Sequence, residues 1–140
     1  MQKIHDLPTP CLVLDLSRFE ANVERMSRFV REKAVALRPH AKTHKCAEIA
    51  RRQIKAGAAG ISVATIAEAE IMQDAGIRGL LITAEMVGEP KVSRLMNVIS
   101  SAPDTMVVVD DANNIDELER GRAEIRRSCS RIDRSRCGSE

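Results

Sequence analysis

Tyrosine and tryptophan are absent, and only two phenylalanines occur in 140 residues. A full-sized enzyme rarely lacks both of the larger aromatics, so the composition reads as part of a longer chain. No apolar run approaches the roughly 20 residues of a membrane span. The opening stretch, Met1-Gln2-Lys3-Ile4-His5-Asp6, has no apolar core of a secretory signal. The expected compartment is the cytoplasm. A large excess of one charge sign is also missing: the net charge is +2, too little to imply nucleic acid or membrane as a partner. No Cys-x-x-Cys pair occurs. Cys11, Cys46, Cys129 and Cys137 are scattered and read as free thiols rather than a disulfide framework. Neither Gly-x-Gly-x-x-Gly nor the phosphate-loop pattern is present, so a nucleotide-binding open sheet has no motif support.

What is present is an alternation of short apolar runs and amphipathic segments. Cys11-Leu12-Val13-Leu14-Asp15-Leu16 reads as a buried strand. Ser17, with Glu20 in capping-box spacing, opens a helix with Phe19, Val23, Met26 and Val30 on one face. Val35 to Ala41 reads as a short strand entering a polar loop, and a helix from about Cys46 ends at Gly57. Ile61 to Thr65 is a strand, and Thr65 with Glu68 caps a helix that stops at Gly76. Leu80 to Thr83 is a strand, and Pro90 fits the first turn of a helix carrying Val92, Leu95, Met96 and Ile99. Met106 to Val109 is a strand, after which Asn114 can cap a last helix bearing Ile115, Leu118 and Ile125. Continuously apolar strands between amphipathic helices predict an α/β fold with a parallel, helix-covered sheet. A complete (β/α)8 barrel needs about 250 residues, so a barrel of this length is partial. From residue 128 to residue 140 the chain turns polar, rich in Arg, Ser and Cys, and reads as a disordered or aberrant tail.

The densest chemical signal is Arg38-Pro39-His40-Ala41-Lys42-Thr43-His44-Lys45. It follows a strand, and β/α folds place their sites at strand C-terminal ends. A lysine buried among other cations there would lose its proton readily, as a Schiff-base nucleophile must. Three other readings stay open from the residues alone. They are a solvated basic loop, a loop binding phosphate or nucleic acid without chemistry, and a metal site built from His40 and His44. Pro39 weighs against the helix that the last would need.

The segment Asp6-Leu7-Pro8-Thr9-Pro10-Cys11-Leu12-Val13-Leu14-Asp15 resembles the opening of the D-threonine aldolase / D-serine dehydratase family. That family has a pyridoxal-phosphate barrel of the alanine racemase type. The string Arg38 to Lys45, followed by Glu48-Ile49-Ala50, is similar to its lysine segment. Gly60 to Thr65 with Glu68-Ala69-Glu70, and Leu81-Ile82-Thr83 with Val87-Gly88, resemble its next strands. The resemblance runs in order from about residue 6 to about residue 120.

It implies a partial (β/α)8 TIM-type barrel: about four barrel units plus an N-terminal strand and helix, over residues 1–127. The cofactor implied is pyridoxal 5'-phosphate, bonded at Lys42. His40, Thr43 and His44 are implied pocket residues, and Lys45 a source of local charge. Thr65 either faces the cofactor or caps its helix, and Asp110 either faces the pocket or caps. The implied substrate is a small D-amino acid, with retro-aldol cleavage or loss of water and ammonia as the reaction. Lys42 serves both, so aldolase, dehydratase and racemase are not separated. The family also uses a divalent metal and a second, mostly β domain, whose ligands are not in this sequence. The alternative is an inactive truncated fragment, or a pyridoxal-phosphate-binding protein without turnover. Open strand edges further imply a homodimer or an aggregation-prone chain.

Overall fold

The computed structural model describes residues 3–136, with side chains described through residue 125. It divides into two compact units, Met1–Val35 and Ala36–Glu140.

The first unit is built on one helix, α1 (Leu16–Glu32), preceded by a 3-10 turn over Ile4–Asp6. Val30 is buried and Phe19 and Val23 are half-buried, whereas Met26 of the same predicted face is exposed. The helix starts earlier than Ser17 predicts. Asp15 is the N-cap, its Oδ1 accepting the Arg18 N–H at 3.0 Å. A carboxylate at the positive end of the helix dipole makes a charge-assisted bond that a serine hydroxyl cannot match. The strand predicted over Cys11–Leu16 is corrected too. Among the described residues, residues 11–15 have no ladder partner, Leu12, Val13 and Leu14 are exposed, and Leu16 already belongs to α1. A short apolar run does not fix a strand without a neighbour to pair with. Pro8 and Pro10 just upstream carry no N–H for a ladder.

The second unit is a parallel sheet of β1 (Ile61–Val63), β2 (Leu80–Ile82) and β3 (Met106–Val107), in the order β1-β2-β3. The predicted strand before Lys42 survives as an extended edge segment. His40 bridges Ser62 in parallel, the Ser62 N–H donates to Pro39 O at 2.9 Å, and the Ala59 N–H donates to Leu37 O at 2.8 Å. Pro39 has no N–H to return, which helps explain why the ladder shrinks to one bridge. Helices α2 (Ala47–Lys55), α3 (Ile66–Asp74), α4 (Glu89–Ser101) and α5 (Ala112–Arg136) follow the four segments in turn. Neighbouring parallel strands joined in chain order by helices are the repeating units of a (β/α)8 barrel. This is the expected partial barrel, without the predicted N-terminal strand.

The two sheet faces differ. Ile61, Val63, Leu80 and Ile82 share one face and are 0% exposed, in a core with Met72, Leu95 and Val98 from the helices. Ser62, Leu81 and Met106 lie in register on the other face, where Leu81 is half-buried and Met106 exposed. That second face is the one a closed barrel turns inward.

Local chemistry fixes the helix ends. Gly57, with φ of 107°, and Gly76, with φ of 80°, follow α2 and α3 in the left-handed region expected of C′ glycines. Pro90 sits in the first turn of α4. Asn114 does not cap α5. Asp111 Oδ1 accepts the Asn113 N–H at 2.8 Å, and Asn114 is buried one turn inside, its Nδ2 donating to Met86 O at 2.8 Å. The polar tail read from residue 128 onward falls on the last turns of α5 and beyond. Its Cys129 and Cys137 side chains lie outside the described residues.

Candidate functional site

The C-terminal ends of the four parallel segments carry His40, Thr65, Thr83 and Asp110 in chain order. Immediately after the first, a 3-10 turn over Ala41–Thr43 presents Lys42. Ala41 is buried at 1% exposure and pins the turn, while Lys42 and Thr43 beside it are exposed. In this partial barrel Lys42 is exposed, where the sequence leads one to expect a buried lysine. Among the described residues its amine has no hydrogen-bond or ion-pair partner.

His40 organises this turn. Its Nδ1 accepts the Lys42 backbone N–H at 3.2 Å, and its carbonyl accepts the Thr43 hydroxyl at 3.2 Å. Its Nε2 lies 3.1 Å from Thr83 Oγ1, and that hydroxyl donates to Val63 O at 3.1 Å. His40, Lys42 and Thr43 are therefore brought together.

His44 is set apart from them. Its Nδ1 accepts the Cys46 N–H at 3.0 Å, just ahead of α2. Its Nε2 is buried without a partner among the described residues. Burial lowers its pKa below the ordinary histidine range, against a smaller opposing effect of the Cys46 bond. Thr65 is engaged as the N-cap of α3, accepting the Glu68 N–H at 3.2 Å. Asp110 is exposed just past β3.

Two contributors went unread in the sequence. Thr83 was only the end of a strand. Its signal was the position directly after the run Leu80–Ile82, the logic that singled out Thr65 after β1. Glu68 was only a capping partner. Its side chain is 13% exposed, accepts the Ala64 N–H at 2.8 Å, and pairs with Lys45 Nζ at 3.4 Å. The Ala64 N–H foremost, then Lys45, hold its carboxyl below the usual glutamate value. The two lysines of the loop are thereby distinguished: Lys45 is tied to a carboxylate and Lys42 is not. Among the described residues no three His, Cys, Asp or Glu gather closely enough to hold a metal ion, and no helix is long and apolar enough to cross a membrane.

Known proteins are similar to this chain in sequence and in fold. A D-threonine aldolase of Arthrobacter sp. is 43% identical over 112 residues, covering 80% of this chain and 29% of that protein. A D-threo-3-hydroxyaspartate dehydratase of Delftia sp. (strain HT23) is 42% identical over 80 residues, covering 57% of this chain and 21% of that protein. The crystal structure of D-threonine aldolase from Filomicrobium marinum superposes with a TM-score of 0.84 at 42% identity, covering 86% of this chain and 32% of that one. The chain spans less than a third of the length of these relatives. The family described as alanine racemase, N-terminal domain, matches residues 14–131, and the chain belongs to it.

Proposed function

We propose that this chain supplies the lysine-bearing part of a pyridoxal-phosphate-dependent lyase acting on small D-amino acids with a β-hydroxyl. One observation carries the reading. Among the described residues the Lys42 amine is unpaired at the C-terminal end of a parallel segment, beside the His40–Thr83 pair, while Lys45 is occupied by Glu68. An aldehyde cofactor needs such an amine, so the donor set fits its reactive end. Lys42 would hold the cofactor covalently, with Thr43 and the half-buried His40 beside it. When bound, pyridoxal phosphate supplies an electron sink for a bond broken at Cα. The chain's own residues act around that chemistry. His40 and Ala41 hold the turn, Glu68 keeps Lys45 engaged as a cation, and Thr65 fixes the start of α3. The divalent metal expected of the family has no ligand cluster among the described residues, so no step is assigned to it. Aldol cleavage and dehydration both remain within this reading, as the aldolase and dehydratase relatives suggest.

The test is chemical. Purified protein is incubated with pyridoxal phosphate, reduced with borohydride and mapped. The peptide containing Lys42 should carry the cofactor. Labelling of Lys45 with Lys42 untouched would overturn the assignment. A second reading, capture of the cofactor without turnover, is favoured by the exposure of Lys42, because a lyase site works best with water excluded. Glycine and aldehyde from D-threonine, or keto acid and ammonia from D-serine, with Mn²⁺ added and loss on Lys42→Ala, would select the lyase. A trapped cofactor with no product would select capture. Self-association is part of the proposal. Among the described residues β3 pairs only with β2, and Met106 and Val109 are exposed. Such an edge invites pairing, so size-exclusion chromatography should show a dimer or larger species.

A further inference from the structure

We propose that Thr83 is the positioning residue for Lys42, acting through His40, so that a side chain from β2's end sets the turn on the segment at the far side of β1. The inference rests on the lysine's proposed role for its purpose, but not for its geometry.

The proton inventory fixes the direction of every bond. The Lys42 N–H can only donate, so His40 Nδ1 must be an unprotonated acceptor. The ring proton of neutral His40 therefore sits on Nε2, which points at Thr83 Oγ1 at 3.1 Å. The Thr83 hydroxyl has one proton, and Val63 O lies 3.1 Å away to receive it. Oγ1 is then free to accept from His40 Nε2. The opposite tautomer would bring two donors together at Lys42 and would ask one hydroxyl proton to serve two acceptors. Val63 O is itself fixed in the sheet, accepting the Thr83 N–H at 2.9 Å. An unbroken chain of bonds thus runs from the β1–β2 ladder to the backbone of Lys42. Its direction is set by a hydroxyl that accepts and donates at once. Valine matches threonine in shape but can do neither, and serine can do both.

The test uses the full chain. Amide hydrogen exchange is measured at Lys42 and across β1 and β2 in wild type, Thr83→Val and Thr83→Ser. Thr83→Val should speed exchange at Lys42 by about threefold to tenfold, the factor for one net hydrogen bond, with the β1 and β2 amides unchanged. Thr83→Ser should restore the wild-type rate. Unchanged exchange at Lys42, or equal acceleration throughout the sheet, would overturn the proposal, the latter by showing a purely structural role. If the valine variant does not fold, imidazole ¹⁵N shifts of wild-type His40 decide: a proton on Nε2 supports the assignment and one on Nδ1 overturns it. Neither readout needs cofactor. Failure of borohydride to label wild-type Lys42 would therefore sink the proposed function while leaving this assignment to be decided on its own.

Discussion

The two ends of the parallel sheet are built from similar residues and put to opposite use. At the N-terminal end the charged side chains are spent on backbone groups, although Thr105 Oγ1 just before β3 is buried without a partner among the described residues. Arg51 Nη2 donates to Ala75 O at 2.9 Å and Arg78 Nη1 to Ser101 O at 2.6 Å, each arginine answering the carbonyl end of a helix. Asp104 Oδ2 accepts the Gly79 N–H at 2.7 Å, and Arg38 Nε reaches Gly79 O at 3.4 Å. Gly60 and Gly79 let two backbones touch: a Cβ on Gly60 would lie 1.9 Å from Gly79 O. At the C-terminal end the Lys42 amine is unpaired and His44 Nε2 is buried without a partner among the described residues. The first end spends its arginines and Asp104 on backbone groups that hold the fold; the second keeps the Lys42 amine open and can do chemistry. This is the division of labour that β/α barrels show between their two faces.

The sharpest way to break that comparison is a pair of substitutions, one at each end. Lys42→Ala should abolish borohydride-fixed cofactor completely while moving stability by no more than about 0.5 kcal/mol, as for an exposed side chain without partners. Gly60→Ala should do the reverse. The methyl group has only backbone to collide with, so the strands must separate, at a cost of about 3 kcal/mol or more. Denaturant melts and trapping on both variants check this. A stable Gly60→Ala protein, or a Lys42→Ala protein that unfolds readily, would erase the distinction between the ends.

Legibility from sequence follows the same division. The core strands were readable because Ile61, Val63, Leu80 and Ile82 belong to continuously apolar runs, as a sheet covered by helices demands. Helix ends were readable where one residue decides them, as at Gly57, Gly76 and Thr65. The run at Cys11–Leu16 misled because apolar composition does not specify a partner strand, and Asp15 and Asp111 displaced Ser17 and Asn114 as caps. At the site, Lys42 and its neighbours were visible as a cationic cluster and through the family resemblance. Its exposure was not, because how much of a turn is covered depends on elements distant in sequence. The link from Thr83 to His40 spans 43 positions, and no local pattern encodes it.

A smaller effect sharpens the picture of the closed end. Asp104→Ala removes the acceptor for the Gly79 N–H and should lower stability by about 1 kcal/mol. Asp104→Asn, which keeps an oxygen there, should recover most of it. Trapping at Lys42 should not change in either variant, since the perturbation lies at the far end of the strands. A parallel loss of trapping would show that the two ends are coupled through β1 and β2.

The smallest effect is a dependence on pH that belongs to the open end. His44 is held neutral by burial, its pKa lowered from 6.5. As pH falls through about 6.5 the unfolded chain takes up a proton that the folded chain refuses, so stability declines from there downward. Glu68 acts lower on the scale. Its carboxylate is favoured in the folded state chiefly by the Ala64 N–H, with Lys45 adding to it, and its pKa lies below 4.5. That stabilisation is whole above the unfolded value and is lost as pH falls through the lowered folded one. Acid should therefore weaken the fold in two stages. His44→Asn, whose side-chain oxygen can still accept the Cys46 N–H, should flatten the first and leave the second. Glu68→Gln should flatten the second and leave the first. Glu70 also has a lowered pKa, through its hydrogen bond from Arg94 at 2.8 Å. That pair is exposed and screened by salt, so repeating the melts at high ionic strength removes its share and leaves that of the more buried Glu68. A single acid transition unaffected by either substitution would mean that the open end of the sheet contributes nothing to the pH dependence of folding.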